Sequence, residues 1–361
     1  MKRVTFPRCL ARGAVKIIKI KDIAERAGVS AATVSRVLSP EGSARVSPET
    51  SRKVFEASAN LGYEPNNLPA KMRFNRSKVI GIVVSDIENP FFTTLIRACE
   101  SEAHEHGYRL IVVNTDEDEN KELIALKSLA SERVAGVILA SIGASSSLGL
   151  VSLSNVGIPV VTVDNSLPDW DVDSVVTNNR AASRAATEHL LGLGHRRIAM
   201  ITGPSRGSSI HERTEGFLSA LREAGIGKDE FIIAEGDLRE ESGYLLTKGL
   251  LTRPDRPTAL FTVNNLTTMG VLRAVRELEV EVPDQLSIIA FDDIPLALVL
   301  EPPQSVIAQP LREIGAYAVR QLVSRLADPD APCALTVFDS TLTLRGSTGA
   351  VSDSFAATWG E

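Results

Sequence analysis

From residue 79 onward, short apolar runs alternate with longer stretches in which apolar residues recur every three to four positions, and this rhythm persists to residue 326. The compact runs read as buried strands and the spaced stretches as helices with one apolar face. Strands are expected at 79–84, 109–113, 136–140, 159–163, 197–201, 258–263 and 286–291. Helices are expected at 90–106, 119–131, 180–193, 213–224, 242–251, 266–278 and 311–326. Such alternation predicts parallel sheets covered by helices, and this many units imply two sheets. Ligands in that architecture lie beyond the carboxyl ends of the strands, so the loops after the strands are where chemistry is expected.

Ahead of residue 79 the pattern is helical only. Ile23, Ala24 and Ala27 fall on one face of a short helix that Gly28 stops. Glycine there can adopt the left-handed conformation that closes a helix, Val29 can plug the corner, and the Ser30 hydroxyl can cap the next helix. That next helix, 31–38, buries Val34, Val37 and Leu38 and turns Ala31, Ala32, Thr33, Ser35 and Arg36 outward. The pair is a helix-turn-helix. Arg36 can fork onto guanine O6 and N7, and the two alanines can pack on a thymine methyl. Thr33 and Ser35 suit phosphate oxygens, contacts that fix register without reading sequence. A third helix follows, with Ser47 as cap, Pro48 at its first position, Glu49 favouring its dipole and Gly62 at its end.

Charge sharpens this picture. The 361-residue chain has a net charge of −6, which alone argues against nucleic acid. Residues 1–76, however, hold fifteen Lys and Arg against six Asp and Glu, while the remainder holds 24 against 39. A basic head of balance +9 thus joins an acidic body of balance −15. The head can neutralise phosphates while the body is repelled from a duplex. The length suits two or three domains. No run of eighteen apolar residues is present, so no spanning helix is expected. Residues 1–15 lack the apolar centre of a secretory signal, and a cytoplasmic location is expected. Cys9, Cys99 and Cys333 are scattered without metal-ligand spacing and read as reduced structural residues. Neither a metal nor a cofactor is expected.

The run from Ile20 through Tyr63, Glu64, Pro65 and Asn66 resembles the head of the lactose/galactose repressor (LacI/GalR) family, and the likeness continues through the body to Thr348. It implies an α/β protein: an N-terminal all-α helix-turn-helix head (19–64), a hinge helix and linker (65–76), and a periplasmic-binding-protein-like core of two α/β subdomains (77–348). The first subdomain is expected at about 77–176 and 292–324, the second at about 177–291 and 325–348. In the family the hinge folds on DNA and an apolar residue wedges into the minor groove. Met72 occupies that position, with Asn66, Lys71 and Arg73 also set against DNA; Pro69 stands where the family usually has alanine.

The resemblance also implies an effector site. Phe91 and Phe92, in the loop from Asp86 to Phe92, would stack on a ring. Asp164, Arg213, Asn264 and Asp292 would hold hydroxyls, and three of the four, Asp164, Asn264 and Asp292, independently fall at strand ends. Carboxylates, an amide and a guanidinium around an aromatic suit a sugar, because each hydroxyl both donates and accepts. The chain departs from its relatives in having Asn264 followed by Asn265 rather than Asn-Asp, and Leu238 where several carry an aromatic platform.

Two rival readings fare worse. Gly203, Pro204, Ser205, Arg206 and Gly207 fit the spacing of a hydrolase nucleophile turn. The only later histidine is His211, with no acid between it and Ser205, so the catalytic order fails and no enzyme is expected. A solute receptor with the same body but no DNA role would need export and no basic head. The expectation is therefore a homodimeric regulator, a repressor by family, that binds a near-palindromic double-stranded operator and responds to a small carbohydrate-like effector, without a membrane partner. The tail from Gly349 shows no heptads of the kind that would build a tetramer.

Overall fold

The computed structural model describes residues 20–38, 46–61, 77–143 and 147–351. The chain divides into two compact units, Met1–Arg76 and Ser77–Glu361. The first contains α1 (Ile20–Ala27), α2 (Ala31–Val37) and α3 (Pro48–Asn60). Ile23, Val34 and Val54 are wholly buried where the three helices meet, with Ala24, Val37 and Ala57 closing the gaps. The turn is built from local hydrogen bonds. Gly28 has φ +66°; its N–H donates to Glu25 O at 3.3 Å, and that of Val29 donates to Ala24 O at 3.0 Å. This paired pattern is the Schellman closure, which requires the left-handed residue that glycine supplies without strain. Val29 then packs on the same small core, and Ser30 Oγ accepts from Thr33 N–H at 3.1 Å to start α2. Ser47 caps α3 in the same way, accepting from Thr50 N–H at 3.3 Å.

The second unit holds two sheets. The first orders β11 (Leu335–Phe338), β5 (Asp173–Thr177), β4 (Val160–Val163), β3 (Gly136–Leu139), β1 (Val79–Val84) and β2 (Arg109–Asn114), all parallel. The second orders β12 (Thr341–Thr343), β10 (Ser305–Ala308), β9 (Ser287–Phe291), β8 (Ala259–Thr262), β6 (Ile198–Thr202) and β7 (Phe231–Glu235), parallel except for the β10–β12 pair. Helices α4 (Pro90–Glu105), α5 (Glu119–Ser131), α6 (Ser147–Ser154) and α11 (Leu311–Ala327) belong to the first lobe. Helices α7 (Asn179–Gly192), α8 (Ser208–Glu223), α9 (Glu240–Leu251) and α10 (Asn265–Glu277) belong to the second. Among the described residues no helix is long and apolar enough to cross a membrane.

The expected division into subdomains needs correction. The chain passes between lobes three times, after β5, after β10 and between β11 and β12. Hence β10, placed by the sequence in the first subdomain, pairs with β9 in the second, whereas β11, placed in the second, pairs with β5 in the first. The four-residue β10 and the half-exposed β11 are too short and too mixed to carry a periodic signal. Packing decides instead. Ile314, Ala318, Val319 and Leu322 of α11 join Ile80, Ile82 and Ile138 in one core. At the end of that helix Arg325 donates to Asp173 Oδ2 at 3.0 Å, while Gln321 Nε2 and Ala334 N–H bond its other oxygen at 3.0 and 2.9 Å. A buried pair with its remaining lone pairs satisfied in this way holds the segment leading to β11 against the first lobe.

Candidate functional sites

At the carboxyl ends of both sheets lies a cavity of about 270 Å³. All six residues expected there, Phe91, Phe92, Asp164, Arg213, Asn264 and Asp292, line it together. Phe91 and Phe92 open α4 behind the cap residue Asn89 and Pro90, with ring centroids 4.8 Å apart and edge to face. Each is only 6% exposed, so both rings belong to the core of the first lobe as well as to the cavity wall.

Arg213 is the hub. It sits on α8 at 4% exposure, its Nε donating to Asn179 Oδ1 at 2.8 Å and its Nη1 to Val263 O at 2.7 Å. The guanidinium carbon lies 3.7 Å from the centroid of the Phe291 ring, and Nη2 lies 3.6 Å from Asp164 Oδ1. The adjacent Glu212, which could have claimed this arginine, pairs with Arg180 at 2.7 Å. Helix α8 starts at Ser208, five residues ahead of the expected 213, because Ser208 and Ser209 are helical without contributing an apolar period. That early start brings Ser209 into the cavity wall as well.

Asp164 follows β4 with φ +65°, and Asp292 follows β9 with φ +76°. Aspartate tolerates this left-handed conformation better than most residues, and it turns the chain sharply where the strand stops. Burial pushes the Asp164 carboxyl up to about 6; Asp292 adds to the rise, and Arg213 and Ser209 oppose it. Burial also raises Asp292, against the pull of Arg213 and of Gln309. Gln309 Nε2 donates to Asp292 Oδ1 at 2.6 Å while its carbonyl accepts from Thr177 Oγ1 at 2.9 Å, tying the acid to two of the segments that pass between lobes. Asn264 lines the cavity but is largely committed to structure. Its Oδ1 caps α10 through Thr267 N–H at 2.9 Å, and its Nδ2 donates to Leu238 O at 2.9 Å. Leu238 itself stands at φ +67° with its side chain over Gly203, where a Cβ would come within 2.3 Å of Leu238 Cγ.

Several lining residues escaped the sequence reading. Glu117 lies three positions past β2 at φ +60°, and its carboxyl is raised first of all by burial. Asn165 Nδ2 donates to Ser141 O at 2.8 Å and its Oδ1 accepts from Ser209 N–H at 2.8 Å. The buried Asn89 and the exposed Arg206, Asp237 and Arg239 line it too. The strand-end rule that found Asp164 and Asp292 points to Glu117 as well once it is applied to the loop after β2. The Ser205 turn adjoins this cavity through Arg206 and Gly207. Among the described residues no group of His, Cys, Asp and Glu is placed to hold a metal.

On the head, Ala31, Ala32, Ser35 and Arg36 are exposed along α2. Thr33 is half-buried, and its hydroxyl lies 2.9 Å from Ser30 Oγ, within the cap rather than directed outward. Asn66, Lys71, Met72 and Arg73, with Pro69, lie outside the described residues.

Comparison with known proteins bears on both regions. Residues 19–66 match the family described as bacterial regulatory proteins, lacI family, and residues 77–332 match periplasmic binding proteins and sugar binding domain of LacI family. The chain is 33% identical to the ribose operon repressor of Escherichia coli (strain K12) over 310 residues, 86% of this chain and 93% of that one. A LacI family transcriptional regulator from Enterococcus faecium, solved with bound ribose, is 29% identical with a TM-score of 0.70, covering 76% of this chain and all of its own (100%). The lac repressor dimer, solved bound to operator and an anti-inducer, is 27% identical with a TM-score of 0.80 and covers 93% of this chain and 100% of its own.

Proposed function

We propose, from the premise that this chain belongs to the LacI family of bacterial regulatory proteins, that it is a homodimeric repressor whose hold on a near-palindromic operator is set by an uncharged, hydroxyl-rich effector, a sugar, in the cavity between its lobes. The chain is a DNA-binding repressor with a sugar-binding type of core. The observation that carries the effector reading is the cluster of Asp164, Arg213 and Asp292 on one cavity that Phe91 and Phe92 wall. Two buried carboxylates against one buried guanidinium disfavour an anion, while their oxygens and N–H groups match hydroxyls that donate and accept. Arg206 and Arg239, the other cations of the lining, stand exposed at its rim. In the head, Arg36 reads a base edge in the major groove, Ala31 and Ala32 pack on bases and Ser35 holds a phosphate. Asn66, Lys71, Met72 and Arg73 form the hinge contact, Met72 wedging between base steps.

Effector and operator are coupled through the angle between lobes. The effector shifts operator occupancy only by the difference in its affinity for the two lobe arrangements. Calorimetry of the full chain against pentoses, hexoses and their phosphates, followed by operator retention with each binder, tests the reading. One neutral sugar that binds once per chain and alters operator affinity is the expected result. Preference for a phosphorylated ligand, or retention untouched by every binder, would remove the effector assignment.

A further inference from the structure

The lobes of the core meet on both sides of the cavity. Near β4, Ser209 N–H donates to Asn165 Oδ1 at 2.8 Å and Ser166 N–H donates to Ser208 Oγ at 2.9 Å. On the other side Arg239 Nη2, ahead of α9 in the second lobe, donates to Asp116 O, just past β2 in the first, at 3.3 Å, and a buried amide pair lies beside the cavity: Asn265 Nδ2, at the start of α10 in the second lobe, donates to Asn89 Oδ1, at the start of α4 in the first, at 3.0 Å. Asn89 Oδ1 already accepts from Phe91 N–H at 2.9 Å, so this oxygen faces two donors and has no room for a third group that only accepts. Asn265 is 2% exposed, and its own Oδ1 is buried without a hydrogen-bond partner. A buried acceptor left unmade has a cost of the same order as the gain from one hydrogen bond, and so offsets much of what the bond to Asn89 returns. The residue is therefore held where one end of its amide is satisfied and the other is not.

We propose that the Asn89–Asn265 amide pair is a latch between the lobes that sets how far the cavity is closed before an effector arrives. With the lobes apart, water reaches both ends of the Asn265 amide. Closing gains the bond to Asn89 and strands the Asn265 oxygen, so the closed arrangement is reached but not locked, and bound ligand adds the remaining stabilisation. Asn265 is thus a positioning residue. It touches Asn89, which lines the cavity and begins the helix that carries Phe91 and Phe92. An amide is needed at position 265, because a carboxylate would set acceptor against acceptor across the cleft. The proposal rests on the cavity being the effector site, but its test contains no ligand and so stands or fails separately from that reading.

The test uses amide hydrogen exchange of the full chain. The amides of Ser166 and Ser209 bond to side chains of the opposite lobe, so they exchange when the lobes part, whereas amides inside β6 and β8 need deeper opening. Asn265→Asp is expected to fold, since a carboxylate in the first turn of α10 suits the helix dipole. It should speed exchange at Ser166 and Ser209 roughly three- to tenfold, as loss of one hydrogen bond implies, with β6 and β8 unchanged. Asn89→Asp keeps the shared acceptor and should leave exchange at the same two amides unchanged or slower. Unaltered exchange in Asn265→Asp, an acceleration shared by β6 and β8, or an equal acceleration in Asn89→Asp would each overturn the latch.

Discussion

The two proposed sites, the outward face of α2 and the cavity between the lobes, stand on opposite kinds of ground. Ala31, Ala32, Ser35 and Arg36 are exposed on a helix whose inner face alone, Val34 and Val37, holds the head together. In the cavity, Arg213 and Asp292 are as buried as core residues, at 4% and 5% exposure, and their hydrogen bonds connect α7, β8 and the segment after β10. The groups proposed to read DNA are therefore nearly independent of folding, whereas those proposed to hold the effector are part of what holds the second lobe in shape. Substitution should separate recognition from stability in the head and be unable to do so in the cavity.

The strongest test of this contrast is Arg213→Ala. It leaves Asp164 and Asp292 as uncompensated buried acids, so effector binding should fall by about two decades or more and global stability by roughly 3 kcal/mol. Calorimetry and urea unfolding measured together decide it; full stability alongside lost binding would break the contrast. Next in size is the effect of pH through Asp164. Its carboxyl is raised from 3.8 to about 6, so the folded chain holds this proton more tightly than the unfolded chain does. Ionising Asp164 then costs stability, the whole cost being present above about pH 6 and relieved as the pH falls toward 4. Asp164→Asn should gain on the unaltered protein across that window, levelling at up to about 3 kcal/mol, when the two are unfolded in urea at each pH. A difference that is flat with pH would show that the acid is ionised throughout. His195 acts in the opposite sense. Buried between Thr258 and Ser287, its ring is held below the usual histidine range by loss of solvent, so its contribution is lost as acid protonates it.

On the head the expected effects are smaller and separable. Arg36→Ala should cost about 1–3 kcal/mol of affinity at the operator and relax preference at one base per half-site. Its unfolding midpoint and effector binding should stay within error, and an equal loss on random DNA would reassign Arg36 to phosphate. Smallest is Ser30→Ala, which removes the cap on α2 and should lower the stability of the head by about 1 kcal/mol, read as a shift in its thermal transition. No shift would show that Thr33 and the chain turn at Gly28 suffice to start the helix.

The two regions also differed in how much of them could be read in advance. In the head, Gly28, Val29 and Ser30 act through hydrogen bonds to residues at most five positions away, so composition and spacing disclosed the turn. Thr33, read as outward-facing, is half-buried, with its hydroxyl 2.9 Å from Ser30 Oγ in the cap. In the core, strands buried on both faces, such as β1, β3 and β9, announced themselves as apolar runs. The edge strands β11 and β12 are partly exposed and carried no such run, while β7 has one in Phe231, Ile232, Ile233 and Ala234 that the sequence reading passed over. Strand β5 begins on the buried polar residues Asp173 and Ser174, which made it look like loop.

What the sequence by itself determined is whatever depends on neighbours along the chain: the helix-turn-helix, the alternation of seven of the strands with helices, and the positions after strands where Asp164 and Asp292 turn the backbone. The family likeness added Arg213, Phe91 and Phe92, which no local rule marks as facing a ligand. Only the tertiary structure decided which lobe owns β10 and β11, that Glu117 and Asn165 share the cavity, and that Asn265 meets Asn89 from 176 positions away. The reason is physical. Local hydrogen bonds and apolar periods are set by residue type and spacing, whereas the partner of a buried polar group is set by which elements pack against it, and packing is a property of the whole chain.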